Sequence, residues 1–160
     1  MGIAFTHPLK LFIGDFMKIL ILNGPNLNMT GIREKGVYGS DTLETINNEI
    51  AGYCKERGVE CDFFQSNSEG DIITKIHSTM NEFDGCVINA GAYTHYSYAI
   101  RDAISCVNSF IPFVEVHMSD IHQREKFRHV SVITEVCETQ ICGFGKKSYT
   151  MGIDYLIKNT

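Results

Sequence analysis

The stretch Met17-Lys-Ile-Leu-Ile-Leu-Asn23, running into Gly24-Pro-Asn26-Leu-Asn28, decides the fold. Ile19 to Asn23 stays apolar until its last residue, as a strand covered on both faces should. The Gly/Pro/Asn-rich loop behind it ends the strand and gathers polar groups at its carboxyl end.

Outward from this strand, β-rich runs alternate with amphipathic ones. Asp41 with Glu44 three residues on opens a helix in the manner of a capping box. Leu43, Ile46, Ile50 and Tyr53–Cys54 recur at helical spacing, and Gly58 stops the element. A second strand covers about 61–65, and a helix from about Gly70 sets Ile72, Ile73, Ile76, Met80 and Phe83 on one face, with His77 beside them. The third strand is Cys86 to Asn89, followed by a helix near Tyr98 to Val107. The fourth is Phe113 to His117, with a short charged helix over Gln123 to Arg128. The fifth is Gln140 to Phe144, and a last helix runs from about Ser148 to Ile157. Val130 to Cys137 reads equally as strand or loop. Strands and helices in this rhythm imply right-handed βαβ units and one parallel sheet. Five strands in the 144 residues from Met17 favour an α/β, flavodoxin-like three-layer sandwich with a five-stranded parallel sheet, since a barrel needs about 250 residues.

Composition narrows the classes. Apolar residues make up 44% and charged ones 21% of the 160 residues, so a globular core rather than disorder is expected. Nineteen acidic against fourteen basic residues give a net charge of -5, which argues against a nucleic-acid partner. Apolar runs are too short for a membrane helix. Six cysteines without C-x-x-C spacing read as buried, reduced thiols, and the chain as cytoplasmic. Residues 1–16 lack a basic region and a cleavage site for a secretory signal. They match the short Met-Gly-x-x-x-Thr acylation pattern, and are read as an extension outside a single catalytic domain at 17–160.

In a doubly wound sheet, ligands bind beyond the carboxyl ends of the strands. There lie Asn23-Gly-Pro-Asn26-Leu-Asn28, Arg33-Glu-Lys-Gly-Val-Tyr38-Gly39, Asn89-Ala-Gly-Ala-Tyr-Thr-His95, and Glu115-Val-His117-Met118-Ser119-Asp120 with Arg124 and Arg128 shortly beyond. Amides, histidines and arginines together suit an anionic, hydroxylated ligand. Glu115 and His117 are two apart, so strand periodicity puts both on one face, where the carboxylate orients the ring and favours its protonated form. His117, His122 and Asp120 have poor metal-ligand spacing, and no metal is expected.

In this order, NGPNLN, R-E-x-x-x-Y-G, INAGAYTH, AIRDAI and FVEVHMSDIHQREKFR resemble type II 3-dehydroquinate dehydratase, from Met17 to about Leu156. The resemblance implies a flavodoxin-like fold, no cofactor, and trimers grouped into a homododecamer. It implies conversion of 3-dehydroquinate to 3-dehydroshikimate and water, by anti elimination through an enolate. It makes Tyr38 the base with Arg33 beside it, and His117 the general acid supported by Glu115. Asn26 would hold a water near the enolate oxygen; Asn89, His95 and Arg128 would bind substrate, with Arg124 in support. Met118 and Ser119 would hold the carboxylate end, and Asp102 would reach a neighbouring subunit's site. A free tyrosine titrates near pH 10, and ionising it near neutrality requires about 4 kcal/mol. A guanidinium 4 Å away supplies about 1 kcal/mol in water and about 4 at an effective dielectric of 20. The loop must therefore close over the site, and Gly31, Gly36 and Gly39 permit that.

The chain departs from the family pattern at Lys35 (commonly proline), Tyr96 (threonine), Val130 (histidine) and Thr139 (glycine). These bear on rate and inhibitor preference rather than reaction type. A type I dehydratase would need a Schiff-base lysine at an apolar strand end, and none stands there. A flavodoxin-like FMN-binding redox module is the alternative, but Met29-Thr-Gly31 lacks a dense Ser/Thr phosphate loop. A phosphoacceptor domain would carry aspartates where Asn23 and Asn89 stand. A non-catalytic interaction protein would not be expected to keep Arg33, Tyr38 and His117.

Overall fold

Ile19, Leu20, Ile21 and Leu22 are fully buried in a computed structural model that describes residues 16–32 and 40–160. They belong to β1 (Lys18–Asn23), the second strand of a parallel sheet ordered β2 (Glu60–Gln65), β1, β3 (Gly85–Asn89), β4 (Phe113–His117), β5 (Thr139–Cys142). Parallel pairing sets Asn23 beside Asn89, and Glu115 beside Gln140. The order 2-1-3-4-5 is the flavodoxin-like one expected, with its switch point between β1 and β3.

Two helices cover each face. Leu20, Leu22, Cys86, Ile88 and Phe113 pack on α2 (Glu69–Glu82) and α3 (Tyr98–Val107) through Ile72, Ile76, Ile100 and Ile104. Ile19, Ile21, Val87, Val114 and Val116 pack on α1 (Leu43–Glu56) and α4 (Lys147–Asn159) through Ile46, Ile50, Tyr149, Ile153 and Leu156. Each such fully buried side chain contributes roughly 1.5–3 kcal/mol. No described helix is long and apolar enough to cross a membrane.

Several local expectations change. The α1 cap is Thr42, not Asp41: its hydroxyl accepts from the Thr45 N–H, while the Asp41 carboxylate meets Lys146 at 2.9 Å. Ser68 caps α2 one turn-position earlier than read. Met80 and His77 lie on its exposed side, and Thr79 takes the buried position by returning its hydroxyl to the Ile76 carbonyl. The segment 123–128 is not one helix but part of two 3-10 turns, Ile121–Gln123 and Lys126–Arg128. Val130 to Cys137 is a loop with one turn, Thr134–Val136; Val132, Ile133 and Val136 pack on the core from it, while Val130 is exposed. β5 ends at Cys142 because Gly143 turns the chain with φ 90°. All six cysteines are free, but only Cys54 and Cys86 are buried; Cys61, Cys137 and Cys142 are half-buried and Cys106 is exposed.

Candidate active site

The carboxyl ends of β1, β3 and β4 open into a cavity of about 140 Å³, roughly nine times the ~15 Å³ that one water needs. Its floor depends on close backbone approach. A Cβ on Gly24 would stand 2.4 Å from the Ala90 carbonyl oxygen, and one on Gly91 2.9 Å from that of Pro25. Gly91 also has φ 57°, a left-handed conformation that glycine adopts without penalty. The loops after β1 and β3 can touch only because both positions lack side chains.

Eight of the residues singled out from the sequence line this cavity: Asn26, Asn89, His95, His117, Met118, Ser119, Arg124 and Arg128. Pro25, Leu27, Thr30, Gly91, Ala92 and Ile121 complete the described lining. The described lining thus holds two arginines, two histidines and no carboxylate, a field suited to a small anion.

Glu115 stands behind His117, fully buried. Its Oε1 is 2.6 Å from His117 Nε2 and 3.1 Å from Gln140 Nε2, and its Oε2 is 2.5 Å from Thr134 Oγ1. Ionised carboxylate accepts only, so His117 donates from Nε2 and Nδ1 is the ring's other proton site. Burial pushes the Glu115 carboxyl up, but hydrogen bonds from His117, Thr134 and Ser131 outweigh it and hold it below its ordinary range. A fixed anion under the imidazole stabilises the ring when it is charged. Sequence reasoning found Glu115 but missed Thr134, Gln140 and Ser131. Gln140 comes opposite Glu115 through the pairing of β5 with β4 in the folded sheet.

His95 places Nδ1 2.8 Å from the Val130 carbonyl oxygen, which can only accept. Nε2 is therefore an acceptor while the ring is neutral. Burial lowers the His95 pKa, the charges of His117 and Arg128 lower it further, and the Val130 carbonyl opposes them. Its ring lies 6.5 Å from that of His117 at 21° and edge-on to Phe127 at 6.3 Å.

Arg128 commits Nε to Glu125 at 2.9 Å, leaving its two terminal nitrogens as a fork for a ligand carboxylate. Arg124 also meets Glu125, at 3.5 Å. Met118 is buried, its carbonyl accepting from the Gly145 N–H at 2.9 Å. Asn26 adopts φ 65° and is an exposed member of the cavity lining, while its N–H donates to Asn67 Oδ1. Asp102 is exposed on α3, away from this cavity. Arg33 and Tyr38, with Lys35, Gly36 and Gly39 of the same loop, lie outside the described residues.

Asp120, His122 and Cys142 bring donor atoms within 4.8 Å of one another, a set that differs from the one weighed in the sequence because β5 supplies Cys142 in place of His117. The Asp120 carboxylate already caps the 3-10 turn, accepting from the His122 N–H at 3.0 Å and from Gln123 Nε2 at 2.9 Å.

Residues 17–157 match the family profile described as Dehydroquinase class II. A 3-dehydroquinate dehydratase from Caldicellulosiruptor bescii is 56% identical over 142 residues, covering 88% of this chain and 96% of the relative. A type II dehydroquinase structure from Butyrivibrio crossotus superposes with a TM-score of 0.88 at 54% identity, covering 90% of this chain and 99% of that one. One from Propionibacterium acnes gives 0.85 at 36% identity, with the same coverage. By profile, sequence and architecture, the chain belongs to the class II dehydroquinase family.

Proposed function

We propose that the chain is a hydro-lyase of the shikimate pathway, converting 3-dehydroquinate to 3-dehydroshikimate and water. One observation carries the reading: a described lining that holds two arginines and no carboxylate, backed by a buried Glu115–His117 pair at 2.6 Å, in a chain of this family. The arginines match the substrate's carboxylate, and the pair matches a hydroxyl that must leave as water.

The reaction divides into two proton movements. Tyr38, as phenolate beside Arg33, takes the hydrogen α to the ketone, and the electron pair passes into an enolate. His117 gives a proton to the departing hydroxyl as the carbon–oxygen bond breaks, on the opposite face, and the enolate collapses to the conjugated enone. General acid–base assistance of this kind contributes about 10²–10⁴-fold. Glu115 steadies the charged imidazole before the proton leaves. Asn26 holds a water at the enolate oxygen. Arg128, with Arg124 behind it, and the Met118–Ser119 backbone hold the carboxylate. Asn89 and neutral His95 bind hydroxyl groups. Asp102, exposed on α3, reaches the site of a neighbouring subunit.

That role of Asp102 requires an assembly, and we take it to be a cytoplasmic homododecamer built from trimers. Tyr96, Tyr98, Phe110 and Phe127 are each 60–66% exposed, apolar area that subunit contacts would cover. Residues 17–160 form the single catalytic domain, in line with the profile match over 17–157, and 1–16 lie outside it. An FMN-binding role has less support: the small, cationic cavity offers the flavin no pair of aromatic plates among its described lining.

The test is incubation of the chelator-treated enzyme with 3-dehydroquinate while ultraviolet absorbance of the conjugated enone is followed. Steady enone formation is expected. No product would overturn the assignment.

A further inference from the structure

We infer that Tyr149, on α4, is a positioning residue that fixes which way the Asn89 amide faces its ligand. The inference rests on the proposed role of Asn89 as a substrate contact. Tyr149 is fully buried, and its hydroxyl sits between the carboxyl ends of β1 and β3. It lies 2.6 Å from Asn23 Oδ1 and 2.9 Å from Asn89 Nδ2. Asn23 and Asn89 are themselves 1% and 4% exposed, so water does not substitute freely for these bonds.

Direction follows from proton counting. A phenol has one proton, and an amide oxygen can only accept. The Tyr149 proton therefore goes to Asn23, and a phenol lone pair faces Asn89. Only the NH₂ side of Asn89 can meet that lone pair. Its oxygen is turned to the Gly91 N–H, 3.2 Å away, on the glycine whose left-handed φ brings the loops together. The amide is thus held from both ends in one of its two orientations. One N–H of Nδ2 and one lone pair of Oδ1 are left to present to a ligand in a fixed sense.

Without the phenol oxygen, the 3.2 Å bond from Gly91 would be the one left holding the Asn89 amide among the described residues. Tyr149→Phe removes that oxygen and keeps the ring in the core. Orientation of a contact made alike in ground and transition states shows in KM rather than kcat. KM for 3-dehydroquinate is expected to rise about tenfold, the worth of one hydrogen bond, with kcat within about twofold. The same substitution in an Asn89→Ala background is expected to change KM no further, because the two residues act through one contact. A role in stability alone would lower the melting temperature in both backgrounds and leave KM unmoved. An unchanged KM, or an equal rise in both backgrounds, overturns the inference. If Tyr149→Phe does not fold, Asn23→Ala takes its place: the phenol loses the Asn23 acceptor that aims its lone pair at Asn89, and a KM rise in the same sense is expected. A wild-type chain that fails to turn over 3-dehydroquinate overturns the functional reading alone. The amide is then read in ligand-free crystals at atomic resolution. One Asn89 orientation in the wild type and a flipped or split one in Tyr149→Phe supports the inference; one shared orientation overturns it.

Discussion

Replacing Glu115 with glutamine removes a charge and almost no volume, so its effect can be worked through atom by atom. The carboxylate accepts from His117 at 2.6 Å, Gln140 at 3.1 Å and Thr134 at 2.5 Å. A glutamine can keep its oxygen toward His117 and Gln140 and turn its NH₂ toward Thr134. The Thr134 hydroxyl also accepts from Gln140 Nε2 at 3.0 Å, so its own proton loses its acceptor. Two charge-assisted bonds become neutral, at about 1 kcal/mol each, and one half-buried donor is orphaned at about 1 kcal/mol, the low end for such a group because it is not sealed from water. The expected loss of stability is about 3 kcal/mol, read by urea denaturation. The larger effect falls on the reaction: the imidazolium loses its buried counterion, and kcat should drop about 100-fold, the lower end of what general acid catalysis contributes. Steady-state kinetics on folded variant decides it. A kcat within about threefold of wild type would refute the idea that Glu115 sustains the charged ring of His117.

Other expectations follow from the same geometry. Gly24→Ala drives a Cβ to 2.4 Å from the Ala90 carbonyl; overpacking of about 1–3 kcal/mol should lower the melting temperature by about 3–10 °C, read by calorimetry. Arg128→Lys keeps the charge and loses the fork, so KM should rise about 10–100-fold with kcat little changed. His95 has its pKa lowered by burial, so the folded state favours the neutral ring. Its contribution is complete above the ordinary imidazole value near 6.5 and is lost as pH falls through the lower folded value. The part of KM that depends on His95, taken as the ratio of wild type to His95→Ala, should therefore stay level down to about pH 6.5 and rise only below it.

The sheet was legible in the sequence because β1 and β3 are buried on both faces and carry the apolar runs Ile19 to Leu22 and Cys86 to Ile88, while β4 keeps Phe113, Val114 and Val116 around Glu115. α3 was legible from start to end because Ser97 caps it and Ile100, Ala103, Ile104 and Val107 keep helical spacing. The α1 start was misplaced by one residue since Asp41, Thr42 and Glu44 offer competing caps, and only the Lys146 pairing in three dimensions removes Asp41. Val130 to Cys137 was ambiguous because Val132, Ile133, Val136 and Cys137 pack on the core from a loop, which leaves composition but no period. Cavity residues at strand ends were found because they sit in short contiguous motifs. The groups that hold them were not: Thr134 and Gln140 reach Glu115 from 19 and 25 residues away, and Tyr149 reaches Asn89 and Asn23 from 60 and 126. Contacts at such separations leave no local signal.

The central claim is an elimination in which a base and a general acid act on opposite faces of one substrate. Stereospecifically deuterated 3-dehydroquinate, labelled in turn at each hydrogen α to the ketone on the carbon next to the departing hydroxyl, tests it by mass spectrometry of the product. The account predicts loss of the deuterium anti to that hydroxyl and retention of the other. Loss of the syn deuterium would contradict it.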